Sequence, residues 1–172
     1  CGGIAAYKSL EVIRGLKNRD GWSKIWYNKM KADKVLPPKK LKQINLKSEI
    51  IPRPKDIGFD DSYSMDFQKG GRKSGQKLLH SFLKVRSKNY SKEMSSPLTA
   101  FDSCSRLSVH LSFGTLSIKE VFQATEFRKI ELKELLKEKK GNRIKSLNTF
   151  SGRLRWHCPF IQKLEDEPEI EF

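Results

Sequence analysis

The chain has 172 residues, 37% hydrophobic and 32% charged, with a formal net charge of +15 and a pI near 9.8. That length suits one modest domain, or one small domain with an extended arm. No apolar run is long enough for a transmembrane helix, and the opening C-G-G-I-A-A-Y is too short, and too soon followed by lysine, for a signal peptide. The charge favours an anionic partner: nucleic acid, a phosphorylated cofactor or an anionic membrane surface. The lysines are scattered rather than gathered in an arginine-rich arm, so a generally lysine-coated surface is an equal reading. Cys1, Cys104 and Cys158 make neither an even disulfide framework nor a C-x-x-C pair, which implies a reducing, cytoplasmic compartment. His157 and Cys158 adjoin, but His80 and His110 lack the spacing of a metal set. The start at Cys1 rather than methionine is expected of a piece of a longer chain.

Residues 8 to 35 read as helical. Val12, Ile13 and Leu16 make one apolar stripe, and Trp22, Ile25, Trp26 and Met30 another. Between them Asn18-Arg19-Asp20-Gly21 reads as a turn with Asp20 a candidate cap. Residues 36 to 66 carry L-P-P-K-K, I-I-P-R-P-K and D-I-G-F-D-D-S-Y with little periodicity, a long connector. Gly70-Gly71 is a turn, and the helix after it has Leu78, Leu79, Phe82, Leu83 and Val85 on a broad apolar face and ends near Asn89-Tyr90. Ser96-Pro97 breaks the chain. Ser103 or Ser105 is expected to cap a helix through Leu107 and Leu111, which Phe113-Gly114 ends. Ser117-Ile118-Lys119-Glu120 is a capping box that turns Val121 and Phe122 inward. A charged amphipathic helix over 126–140 presents Ile130, Leu132, Leu135 and Leu136, and Gly141-Asn142 stops it. A last helix over 146–164 puts Phe150, Leu154, Ile161 and Leu164 on one face, before an acidic tail. No alternating strand pattern appears. The expected class is all-α: a helical arm over 1–35, a connector over 36–66 and a helical domain over 67–172.

The serine-rich stretch 101–117 is the most informative. A helix start with serine hydroxyls and Arg106 beside it suits a phosphate or diphosphate, because unpaired N–H groups, hydroxyl donors and a full charge converge there. The alternative is plain capping, with Arg106 bridging to an acid such as Asp102.

The run C-S-R-L-S-V-H-L-S-F-G-T-L-S at 104–117 resembles the flavin-phosphate motif of photolyases and cryptochromes, usually T-S-R-L-S-P-Y-L followed by F-G and L-S. F-Q-K-G-G-R-K at 67–73, with its following helix and terminal tyrosine, is similar to the entry into that family's flavin-binding helical domain, although G-G-E is usual and Arg72 departs. V-I-R-G-L-K-N-R-D-G-W-S-K-I-W at 12–26 resembles the end of the family's N-terminal α/β domain, and L-P-P the start of its connector. F-S-G-R-L-R-W-H-C-P-F at 150–160 resembles the helix N-E-L-I-W-R-E-F-Y of many photolyases.

The resemblance implies FAD as cofactor. It puts Tyr90, Cys104, Ser105, Arg106, Leu107 and Ser108 at positions that clamp the diphosphate and ribityl portion. Cys104 replaces a threonine, a loss of one hydrogen bond worth about 0.5–1.5 kcal/mol. Phe150 falls where a tryptophan is usual, and Arg153 where dimer-repairing members carry a glutamate, so repair of cyclobutane dimers by the standard site is in doubt. Arg153 suits a phosphate or a flavin oxygen instead. Trp156 matches the tryptophan near the damaged base and His157 replaces an arginine, which makes both DNA-facing. The implied parent uses blue light to repair UV-induced pyrimidine photoproducts or to signal, with damaged duplex DNA as partner. The antenna-pigment domain and the helices that complete the flavin cavity have no room in 172 residues, so the chain is expected not to repair DNA by itself. The competing expectation is a non-catalytic basic helical module that binds nucleic acid without flavin.

Overall fold

The computed structural model describes residues 21–36, 38–40, 42, 47, 49–59, 67–135 and 141–171, with the side chains at 54, 160–166, 170 and 171 left aside. The described residues are helical and contain no strand, so the fold is all-α. The expected stripe Val12, Ile13 and Leu16, Asp20 as a cap, Leu136, and the Ile161 and Leu164 side chains lie outside what is described. Contacts divide the chain into two units, one of residues up to Lys34 together with Gly70 onward, the other Val35–Lys69.

In the smaller unit a single 3-10 turn, Pro54–Ile57, is closed by Asp56. The Arg53 N–H donates to Asp56 Oδ2 at 2.8 Å and its guanidinium lies at 3.3 Å. That pairing holds the Asp56 carboxyl below the usual carboxylate range. Ile50, Ile51 and Phe59 are exposed.

The larger unit is built from seven α-helices among the described residues. Helix α1, Trp22–Lys31, ends four residues earlier than its composition suggests, because Ala32 is already extended. It buries Trp26 and Met30. The Trp26 ring meets Phe122 edge-on at 5.0 Å, and its Nε1–H donates to Cys158 Sγ at 3.3 Å. The Gln123 amide donates to the Met30 and Ala32 carbonyls, both at 2.9 Å, and so satisfies the end of α1.

Helix α2, Arg72–Lys84, follows Gly71, whose φ of 85° excludes most side chains. Leu79, Phe82 and Leu83 are buried, but Val85 is 64% exposed. The helix stops one residue before Val85, whose backbone turns its side chain outward, and a 3-10 turn, Arg86–Lys88, leads into the one-turn α3, Tyr90–Glu93. The position expected to end a helix thus begins a new one.

Two more short helices follow: α4, Ala100–Ser103, and α5, Ser108–Ser112. Neither Ser103 nor Ser105 caps α5, which corrects the expectation. Ser103 is the last residue of α4, and α5 starts from Leu107 with no side-chain cap. Gly114 does take the left-handed conformation, φ 66°, after α5.

Helix α6, Ile118–Glu134, is continuous, so the separate helix expected from 126 is the second half of one element. Ser117 Oγ accepts the Glu120 N–H at 3.0 Å, the forward half of the capping box. The Glu120 carboxylate is taken by the Arg72 guanidinium at 2.7 and 3.0 Å, a two-pronged pair that joins the starts of α2 and α6. Val121, Phe122 and Leu132 are buried, whereas Ile130 and Leu135 are exposed. Helix α7, Arg143–Asp166, begins three residues before its expected start and carries Pro159. Phe82, Tyr90 and Phe150 form an aromatic triangle with centroids 4.7–5.8 Å apart that joins α2, α3 and α7.

Two glycines give opposite expectations. A Cβ at Gly75 would sit 2.9 Å from His110 Nδ1 and 3.0 Å from Leu116 Cγ, in a buried contact where His110 is held by Thr115. Gly152, within α7, has open space around it. Gly75→Ala should lower the urea-unfolding free energy by about 1–3 kcal/mol. Gly152→Ala should raise it by roughly 0.5–1 kcal/mol.

Candidate anion site around the 104–108 turn

The turn between α4 and α5 is organised by a residue the sequence did not single out. Arg86, just beyond α2, sends its guanidinium into the turn and donates to the carbonyls of Cys104 and Ser105, the latter at 3.2 Å. The same group donates to the Leu78 carbonyl at 2.9 Å and to Ser81 Oγ at 3.1 Å. One cation therefore stitches 104–105 to the outer face of α2, and every acceptor in this set is neutral. Burial lowers the Arg86 pKa from the ordinary arginine value, and the nearby Arg106 charge lowers it further, against opposing effects of Cys104 and Asp102. The signal in the sequence was slight: an arginine one helical turn before Tyr90.

Arg106 follows in the left-handed region at φ 58°, uncommon for a residue with a Cβ and costing of order 1 kcal/mol or more. Its guanidinium lies 3.8 Å from the Phe101 ring centroid. Ser105 is half-buried, Leu107 is buried, and Ser108 is exposed at the start of α5. Ser103 is buried and donates to the Glu93 carboxylate.

Cys104 and Arg153 both stand within electrostatic reach of Tyr90. Burial raises the Tyr90 phenol pKa, Cys104 adds to the rise, and Arg153 opposes it. Burial likewise raises the Cys104 thiol against the pull of Arg86, so a neutral thiol is favoured here. Arg153 is exposed on α7. The Tyr90 and Phe150 rings are buried and pack edge-on, and so serve the core first.

Trp156 and His157 lie further along α7, where it meets α1. Trp156 is 48% exposed and its ring centroid is 6.2 Å from that of Trp22, over which Arg155 is placed at 5.3 Å. His157 is half-buried, and burial lowers its pKa below the ordinary histidine value. Among the described residues no three His, Cys, Asp or Glu side chains converge as a metal set. None of the described helices is long and apolar enough to cross a membrane.

The fold and site define an all-α unit with arginines gathered about a strained turn. No protein family, curated protein or solved structure in the comparisons made matches this chain.

Removing the Arg86 side chain leaves three carbonyls without their donor. Arg86→Met should destabilise the chain by about 1–3 kcal/mol in urea unfolding and speed amide exchange at 104–108. The His157 shift gives a pH dependence. A depressed folded-state pKa means the unfolded state binds the proton more readily, so the stabilisation is present above the unfolded value and lost as pH falls. The unfolding midpoint should fall from about pH 7 to about pH 5, and His157→Gln should flatten that fall.

Proposed function

We propose that this chain is the FAD-binding helical module of a photolyase- or cryptochrome-like blue-light flavoprotein, gripping the cofactor's diphosphate at the 104–108 turn. The reading starts from the ordered motifs at 67–73, 104–117 and 150–160. The observation that supports it is the turn itself: Arg86 donates to the Cys104 and Ser105 carbonyls, Arg106 follows at φ 58°, and Cys104 and Arg153 both lie within electrostatic reach of Tyr90. A diphosphate fits this set: the arginines supply charge, while Ser105 and Ser108 supply hydroxyls. Bound FAD supplies a ring that absorbs blue light and exchanges electrons. The chain's own residues bind and orient it. Arg86 shapes the turn, Arg106 and Arg153 offer guanidinium donors, and Tyr90 anchors the turn's surroundings in the core. Arg153 in place of a carboxylate suits an anionic group and argues against standard cyclobutane-dimer chemistry. DNA is the proposed partner of the whole flavoprotein, with Trp156 and His157 facing it.

A second reading has one observation in its favour. The exposed Trp156 beside Trp22, with Arg155 over Trp22, forms a basic aromatic patch of the kind that stacks unpaired bases. On that reading the chain binds nucleic acid without flavin.

Titration of the purified chain with FAD, followed by flavin fluorescence and thermal shift, separates the two. Saturable binding is expected, weakened about tenfold or more by Arg106→Ala, equivalent to ~1.4 kcal/mol. Riboflavin, which lacks the diphosphate, should not sense the substitution. A chain that ignores FAD but binds a single-stranded oligonucleotide, with affinity falling as salt rises and on Trp156→Ala, would favour the second reading instead.

A further inference from the structure

The second basic region of the larger unit lies away from the 104–108 turn, in the groove between α2 and α6. Leu79, Leu83 and Ala124 line its floor. Phe127 forms one wall and is 64% exposed, and Ile130, one turn further along α6, is 56% exposed. Large apolar side chains left in water at helical spacing mark a surface that gains by being covered. Lys34 and His80 border this groove, and Lys73, Lys77 and His80 line a shallow depression that shares Gln76 with it. Lys73, Lys77, His80 and Lys84 fall at i, i+4, i+7 and i+11 on α2, a single basic stripe.

The acids nearby are already engaged. Glu120 is held by Arg72, and Glu131 by Arg128 at 2.6 Å and Lys84 at 3.4 Å. Among the described residues Lys34, Lys73 and Lys77 have no ion-pair partner. The groove thus combines an apolar floor and wall with a rim on which Lys34, Lys73 and Lys77 have no ion-pair partner among the described residues.

We infer that this groove docks an acidic amphipathic helix from a partner protein, with apolar side chains against Leu79, Leu83 and Phe127 and carboxylates facing Lys73 and Lys77. A nucleic-acid backbone would satisfy the rim but would leave Phe127 and Ile130 in water. An acidic helix with apolar residues at 3–4 spacing matches both halves of the surface. The surface is separate from the proposed flavin site and does not depend on it.

The test uses the full chain and a fluorescently labelled synthetic helix of leucine and glutamate at 3–4 spacing, followed by anisotropy. Saturable binding is expected, weakened at least about tenfold by Phe127→Asp and similarly by the double change Lys73→Glu/Lys77→Glu. Lys145→Glu, at an exposed position on α7, should leave binding unchanged. Phe127 is exposed enough for its variant to fold, and a thermal melt checks this. Absence of binding to the leucine–glutamate helix overturns the proposal. So does equal affinity for polyglutamate, which would make rim charge sufficient. Stronger binding of a single-stranded oligonucleotide, lost in the same variants, would assign the groove to nucleic acid and overturn it equally.

Discussion

The Arg86 guanidinium reaches from the end of α2 to the carbonyls of Leu78, Cys104 and Ser105, and the arrangement of the 104–108 turn depends on it. Carbonyls drawn toward one cation must all point inward, so the chain has to reverse sharply after Ser105. Arg106 absorbs the reversal in the left-handed conformation. A guanidinium suits this task better than an ammonium, because its planar fork offers several fixed donors and stays charged even when partly desolvated. The cost is a second cation nearby, since Arg106 stands close enough to disfavour the charge on Arg86. This pairing of cations, with Asp102 acting in the opposite sense, is the ground for the anion site proposed at the turn.

The aromatic triangle of Phe82, Tyr90 and Phe150 supplies the rigid backing. It fixes α3 against α7 and α2. Tyr90 therefore has two roles: its ring belongs to the core, while its hydroxyl end senses Cys104 and Arg153. On the other side of the unit, Trp26 locks α1 onto α6 and α7 through Phe122 and Cys158. This packing leaves Trp22 and Trp156 at the boundary with solvent. The same sequence of helices thus presents a charged turn, an aromatic patch and a basic-rimmed groove.

Much of the all-α character was legible along the chain. The 3–4 spacing of Trp22, Trp26 and Met30, of Leu79, Phe82 and Leu83, and of Phe150 and Leu154 sets helical faces. Gly71, Gly114 and Gly141 mark turns that require positive φ. Ser117 caps α6 as its sequence context indicates, because that bond is local. The misplaced details are instructive. Ser103 is drawn off by Glu93, ten residues away, and Val85 is turned outward where α2 gives way to the Arg86 turn. Ile130 belongs to an apolar face by periodicity but is 56% exposed.

The sequence by itself determined the all-α class and the faces of the longer helices, where serines and arginine concentrate, and which residues bear the family-like motifs, because propensity, period and cap chemistry act within a few residues. Only the tertiary structure decided that Arg86 shapes the 104–108 turn, that Arg72 takes the Glu120 carboxylate, and that Tyr90 and Phe150 are shared with the core. It also decided which lysines of α2 border an apolar groove. Those outcomes turn on partners 18 to 60 residues apart, between which a buried donor or carboxylate chooses by proximity and desolvation. That choice has no periodic trace in a single chain.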